Sequence, residues 1–168
     1  MITLRAVRPE DQEFLFVVYA STRADEMRLV DWDAAQKESF VRMQFDAQSQ
    51  FYTQNYPGAH YQVVLLDNQP AGRLYVHRRN DEIRIMDITL LPEFRRRGIG
   101  SNLLNQIMEE GRKHNLPVTI HVERFNPALH LYARLGFCLA EDKGVYYFLK
   151  WSPAMTEHYE NTGYTAER

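Results

Sequence analysis

The sequence predicts an α/β (α+β) fold, with a mixed, mostly antiparallel sheet of about seven strands flanked by about four helices. Three observations predict it. Short apolar segments bounded by turn residues recur seven times. Stretches with helical apolar spacing separate them in the order β-α-α-β-β-β-α-β-α-β-β. Three of the strands follow one another so closely that they suggest an antiparallel meander, with helices left for the faces of the sheet.

Each element has its own signal. Ile2 to Val7 alternates and reads as the opening strand. Pro9 suits a first helical position, and Glu10 and Asp11 suit the positive end of the helix dipole. The helix that follows is expected to bury Phe14, Val17 and Val18. Residues 23–33 lack a clean period and read as a loop or a short broken helix. A second helix from about Ala34 to Thr53 presents Phe40, Met43 and Phe51, and Tyr56-Pro57-Gly58 stops it. His60 to Asp67, Ala71 to Arg78 and Glu82 to Leu91 are strands, divided by the turn residues Asp67-Asn68-Gln69-Pro70 and Asn80-Asp81. The helix from Gly98 to about His114 carries Ile99, Leu103, Leu104, Ile107 and Met108 as one stripe. Pro117 to Glu123 is a strand. A short helix places Ala128, Leu131, Tyr132 and Leu135 on one face and ends at Gly136. Phe137–Ala140 and Val145–Leu149 form a hairpin around Lys143-Gly144. Residues 1–150 therefore read as one domain, and 151–168 as a polar tail without apolar period.

Bulk properties narrow the function. A globule of 168 residues removes about 70% of its unfolded surface from water and needs no staples. A net charge of -2 argues against a nucleic-acid partner bound through a broad basic face. Cys138 is the lone cysteine, which excludes an internal disulfide framework and suits a reducing cytoplasm. Met1-Ile2-Thr3-Leu4-Arg5 turns charged too early for a signal peptide, and the longest apolar run, Phe14 to Ala20, is too short to span a bilayer. The expectation is a cytoplasmic protein with no membrane partner. His60, His77 and His130 lack metal-ligand spacing, so no metal is expected.

The chemistry concentrates in Asp87 to Ser101. A strand ends there, a basic loop with two glycines turns, and an amphipathic helix begins. The first N–H groups of a helix have no internal partner and sit at the positive end of its dipole, so this is an anion site. Gly98 and Gly100 let a ligand approach the backbone, and Arg95, Arg96 and Arg97 add charge. A Walker loop would need Lys after Gly100, and the dinucleotide fingerprint would need glycine where Leu103 stands. What remains, Arg95-x-x-Gly98-x-Gly100, resembles the Arg/Gln-x-x-Gly-x-Gly/Ala signature of the GNAT acetyltransferases. Asn126-Pro127-Ala128-Leu129-His130-Leu131-Tyr132-Ala133-Arg134-Leu135-Gly136-Phe137 resembles the second block of that family, and it falls after the expected strand. The resemblance covers about residues 1–150 and is weak over 20–60.

That resemblance implies a GNAT-like sheet and an acetyl-CoA-dependent N-acetyltransferase. Acetyl-CoA would be the co-substrate, and a small-molecule or peptide amine would attack it directly in a ternary complex. It implies that the backbone from Arg96 to Ser101, Ile99 included, holds the pyrophosphate. Ile88 and Leu90 would pair with the pantetheine arm, and the Leu90 N–H would polarise the thioester carbonyl. Asn126 would contact the pantetheine amides or cap its helix. By residue type alone Tyr132 is a core tyrosine; the resemblance makes it the proton donor to the departing thiolate, since a phenol of pKa about 10 stays protonated. The base stays open among His121, Glu123 and Asp87. His121 stands where one branch of the family has glutamate, its ordinary pKa suits a base, and Glu123 shares its strand face. Some family members use no single base.

Arg23 to Asp33 and Glu141 to Val145 would line the acceptor, with Asp25, Glu26, Asp31 and Asp33 attracting a cationic amine. Edge-strand dimers are common in the family, which leaves a homodimer open. Two other readings compete: a non-catalytic acyl-CoA-binding module, and an acetyltransferase toxin acting on aminoacyl-tRNA through a patch of Arg73, Arg78, Arg79 and Arg84.

Overall fold

A computed structural model describes residues 1–153, so the tail expected over 151–168 lies outside the described residues from 154 onward. The elements are β1 (Ile2–Ala6), α1 (Gln12–Arg28), α2 (Ala34–Asn55), β2 (His60–Leu66), β3 (Gln69–Arg78), β4 (Ile83–Leu90), α3 (Ile99–His114), β5 (Val118–Glu123), α4 (Leu129–Leu135), β6 (Cys138–Asp142) and β7 (Tyr146–Trp151). Single 3-10 turns at Pro9–Asp11 and Pro92–Phe94 precede α1 and α3. The strands form one seven-stranded sheet in the order β1-β2-β3-β4-β5-β7-β6. β1–β2, β5–β7 and β6–β7 pair antiparallel, and β4–β5 pair parallel. This is the GNAT-like mixed sheet with four helices. Among the described residues, no helix is long and apolar enough to cross a membrane.

By internal contacts the chain divides into two compact units. The first is Met1–Tyr75 with Asp87–Arg97, and the second is Val76–Met86 with the chain from Gly98.

In the first unit, Leu15, Phe16 and Tyr19 of α1 pack with Val41 and Phe45 of α2, and the Phe16 and Phe45 rings meet edge-on at 5.8 Å. The buried faces differ from those expected. Val17 and Met43 are exposed, as is Phe51, and Phe14 is only half-buried. The reason is angular. Leu15, Phe16, Val18 and Tyr19 centre the apolar stripe one residue away from the Phe14–Val18 line, which puts Val17 on the far side. Of residues 23–33, read as a loop or a short broken helix, 23–28 continue α1 and the chain leaves the helix after Arg28. The α1 ion pairs Arg23–Glu26 and Arg28–Asp25, both 3.0 Å, support that last stretch where apolar periodicity does not.

Asp11 ties β1 to the start of α1. Its carboxylate accepts both Arg5 guanidinium nitrogens at 2.8 Å and the Arg8 N–H at 2.7 Å. The Arg5 hydrogen bonds hold its pKa down to about 2, well below the ordinary 3.8. A folded-state pKa below the unfolded one contributes stability above about pH 4, and that stability is lost as pH falls through about 2. Asp11→Asn is therefore expected to cost about 2 kcal/mol at neutral pH and to flatten the acid limb of stability. Chemical denaturation at a series of pH values from neutral down past the folded pKa checks both.

In the second unit the α3 stripe is buried as expected: Ile99, Leu103, Leu104, Ile107 and Met108 are all at most 4% exposed. Val118, Ile120 and Val122 of β5 are buried, as are Leu149 and Trp151 of β7. Gly111 lets Trp151 approach: a Cβ there would lie 2.8 Å from the Leu116 carbonyl oxygen and 3.0 Å from the indole.

Candidate functional site

The expected site residues fall in both units, and each set is built by its own local chemistry. In the first unit lie the end of β4, with Ile88 and Leu90, and the basic loop through Arg97. Strand β3 presses closely on this strand end. A Cβ at Gly72 would meet the Thr89 carbonyl oxygen at 2.1 Å and the Leu90 Cα at 2.9 Å, and the Leu91 N–H donates to the Ala71 carbonyl at 2.8 Å. Arg95 folds back on the same strand end, its Nε donating to the Leu90 carbonyl at 3.0 Å and its Nη2 reaching Ser21 Oγ at 3.4 Å. Arg96 takes a left-handed backbone at φ 60°, and the Arg97 guanidinium lies 5.7 Å from the Phe94 ring centre. All three arginines are exposed, but Arg95 braces the strand as well as adding charge.

Asp87, a candidate base by sequence, belongs to a buried polar network. Arg73 is 1% exposed and donates to Asp87 Oδ2 at 2.6 Å and to Gln48 Oε1 at 2.8 Å. Thr89 Oγ1 donates to Asp87 Oδ1 at 2.5 Å, and the Tyr52 hydroxyl lies 3.5 Å from Oδ2. Burial works against the Arg73 charge, but Asp87 outweighs it and the pKa is raised. Burial and the Asp87 charge push the Tyr52 hydroxyl up. The Asp87 carboxylate is the counter-ion of a buried guanidinium, a pair that is costly to break from either side. The network had one sequence signal, an arginine inside the apolar run Ala71–Val76.

In the second unit, α3 opens at Ile99 with Gly98 as its N-cap, left-handed at φ 79° and without a side-chain cap. The Asn102 N–H donates to the Gly98 carbonyl at 3.0 Å and closes the first turn. Gly100 has different reasons for being glycine. Its backbone is ordinary helix, and an added Cβ would meet only Leu131 Cδ2 at 3.7 Å, an ordinary contact. Neither turn geometry nor packing requires glycine there, and glycine in a helix costs about 0.5–1 kcal/mol relative to alanine. Backbone exposed at an uncapped helix start, with room above it, fits a phosphate-bearing ligand.

β5 carries His121 and Glu123 two residues apart, opposite Phe148 and Tyr146 of β7. The His121 ring stacks tilted on Phe148 at 4.8 Å, and its Nε2 lies 3.3 Å from Lys143 Nζ. Burial, Arg84 and Lys143 lower the His121 pKa, while Glu82 and Glu141 pull the other way. Asn126 Oδ1 accepts the Ala128 N–H at 2.9 Å, so its side chain caps the turn into α4. Tyr132 on α4 is 4% exposed, with its ring edge-on to Phe137 at 5.6 Å. Gly136 ends α4 at φ 98°, as expected.

Two charge expectations change on inspection. The arginines suggested as an RNA patch are ion-paired: Arg73 with Asp87, Arg78 with Glu110, and Arg79 and Arg84 with Glu82. Four arginines set against three carboxylates leave a net of one positive charge, a small field for a polyanion. Among the acids expected near the acceptor, Asp25 and Glu26 pair within α1. Asp33 caps α2, accepting the Gln36 N–H at 2.8 Å, while Gln36 Oε1 accepts the Asp33 N–H at 3.1 Å.

No curated protein matches the chain in sequence. Solved structures share its fold at low identity. A PaiA N-acetyltransferase of Thermoplasma acidophilum in complex with coenzyme A superposes at a TM-score of 0.68, 19% identical over 90% of this chain and 99% of its own. An acetyltransferase from Thermus thermophilus gives 0.64 at 18% identity over 90% and 97%. Naa50 of Arabidopsis thaliana, in complex with the bisubstrate analogue CoA-Ac-MVNAL, gives 0.58 at 18% identity over 90% and 98%. The model of the acetyltransferase (GNAT) family matches residues 24–137, and the chain belongs to that family.

Proposed function

We propose that the chain is an acetyl-CoA-dependent N-acetyltransferase whose acceptor, a small-molecule or peptide amine, attacks directly in a ternary complex, with residues 1–150 as one acetyltransferase domain. Gly100 carries the reading. A helical glycine that neither fold nor packing demands is accounted for by close approach of a ligand to the backbone from Arg96 to Ser101. Family membership and the neighbours bound to coenzyme A or to a CoA-bearing bisubstrate analogue support the same ligand class.

Acetyl-CoA supplies an acyl carbon activated as a thioester. The residues of the chain do the rest. The Gly98–Ser101 amides hold phosphate oxygens, with Arg96 and Arg97 adding positive field. Leu90 donates its N–H to the carbonyl on which negative charge develops. His121, whose pKa is held below its ordinary value chiefly by burial, takes a proton from the ammonium of the acceptor. Tyr132 gives its phenolic proton to sulfur as the carbon–sulfur bond breaks.

Titration calorimetry with coenzyme A and acetyl-CoA, with ATP as control, tests the binding step. Micromolar binding of both CoA species and none of ATP is the expected result; failure of both to bind withdraws the reading. Gly100→Ala separates ligand from fold. It is expected to raise stability by about 0.5–1 kcal/mol and to weaken CoA binding roughly tenfold, which is about 1.4 kcal/mol. Unchanged CoA affinity in that variant would mean that Gly100 serves no ligand.

A further inference from the structure

The reading above needs an amine beside His121, and the chain supplies one of its own. The Lys143 Nζ lies 3.3 Å from His121 Nε2. Its nearest carboxylate oxygen, on Glu141, is farther away at 3.8 Å. An ammonium only donates, so it pairs with the tautomer in which Nε2 keeps its lone pair, the form that accepts a proton there.

The placement is built into the hairpin. Arg124 follows β5, and its guanidinium donates to Asp142 Oδ2 at 2.9 Å and to the Tyr147 hydroxyl at 2.9 Å. The Arg124 N–H donates to the Val145 carbonyl at 3.0 Å. The tip itself is closed by Lys143 N–H to the Tyr146 carbonyl, and by Gly144 N–H to Asp142 Oδ1, both 2.9 Å. Residues on both sides of Lys143 are thus fastened, and the Lys143 Nζ lies 5.5 Å from the centre of the Phe148 ring on which His121 stacks.

We infer that Lys143 is a self-acetylation site: its amine occupies the acceptor position beside His121 and takes the acetyl group from bound acyl thioester. This rests on the acetyl-CoA reading. The Lys143 ammonium gives one proton to His121 Nε2, which passes it to solvent. The freed lone pair attacks the thioester carbonyl, a carbon–nitrogen bond forms, and the carbon–sulfur bond breaks with its electron pair on sulfur. The second nitrogen proton balances the thiolate, leaving a neutral acetyl-lysine, free CoA thiol and one released proton. The product carries no charge, so the ion pair to Glu141 and the cation over Phe148 are both lost, and the hairpin tip meets an incoming acceptor with one positive charge fewer.

The test uses the full chain. Only four lysines are present, Lys37, Lys113, Lys143 and Lys150, so the background is small. Purified protein is incubated with acetyl-CoA without added amine, and acetylation at each lysine is followed by peptide mass mapping. In parallel, coenzyme A binding is measured by calorimetry. The expected result is one acetyl group on Lys143, forming roughly tenfold or more faster than on the other three. Its first-order rate should be independent of protein concentration, and His121→Gln should slow it roughly tenfold or more. Lys143→Arg should carry none at that position. If coenzyme A binds but Lys143 labels no faster than Lys37, Lys113 and Lys150, the inference is overturned and the acetyl-CoA reading stands. A rate rising in proportion to protein concentration, or unchanged in His121→Gln, overturns it too. If coenzyme A does not bind, the acetyl-CoA reading falls and takes the inference with it.

Discussion

Tyr132→Phe is expected to lower kcat by about 10²-fold or more while leaving the dissociation constant for acetyl-CoA within about twofold. The substitution removes one oxygen and keeps the ring, so the edge-on contact with Phe137 at 5.6 Å and the burial of α4 survive. If Tyr132 were only a core tyrosine, the change would appear as lost stability with little effect on turnover. Steady-state kinetics, calorimetry and a melting curve on one preparation separate the two roles. An unchanged kcat with an unchanged melting temperature would remove Tyr132 from the chemistry. Equal loss of rate and affinity would make it a structural residue of the site.

The strands were the most legible part of the fold. β2, β3 and β4 are bounded by turn residues that leave little freedom, and their observed limits lie within about two residues of those read from the turns. α3 was legible because its apolar stripe repeats at i, i+4, i+5, i+8 and i+9 within a helix of sixteen residues. α1 and α2 were harder for a physical reason. Both have apolar residues almost all round, so the sequence offers two plausible faces and packing chooses between them. Val17, Met43 and Phe51 lost that choice to Leu15, Val41 and Phe45.

The candidate site divides in the same way. Motif spacing located the loop before α3 and the Asn126–Phe137 segment, where Gly98 and Gly136 take positive φ and Asn126 caps the turn into α4. Contacts between distant positions left no such trace. Arg73 and Asp87 are fourteen residues apart and meet because β3 and β4 are neighbours, and the pair gives a candidate base a buried counter-ion. Lys143 is twenty-two residues from His121 and reaches it only because β5 and β7 pair in the register His121–Phe148. Before the strands are paired, Lys143 is only a turn residue beside Gly144.

Gly72→Ala is expected to cause the largest combined loss of stability and activity. The added Cβ would sit 2.1 Å from the Thr89 carbonyl oxygen and 2.9 Å from the Leu90 Cα. Both are backbone atoms of the neighbouring strand, so no side chain can swing aside and the end of β4 must move. Forced overpacking of this kind costs about 1–3 kcal/mol, or a melting temperature lower by about 2–12 °C at this chain length. The displaced segment carries the Leu90 N–H that the proposed mechanism aims at the thioester carbonyl, and a shift near 1 Å at such a donor lowers turnover by about 10²-fold. The contrast with Gly100→Ala is the informative part. One glycine is required by a neighbouring strand, so its replacement should lower the melting temperature and kcat together. The other is assigned to a ligand by the proposed function, so its replacement should raise the melting temperature and lower affinity. Melting curves and acetyl-CoA turnover for the two variants side by side give opposite signs in stability if the assignment holds. A Gly72→Ala protein that melts and turns over like the unsubstituted chain would mean that β4 yields freely at Thr89 and Leu90, and that the oxyanion role given to Leu90 does not depend on its position.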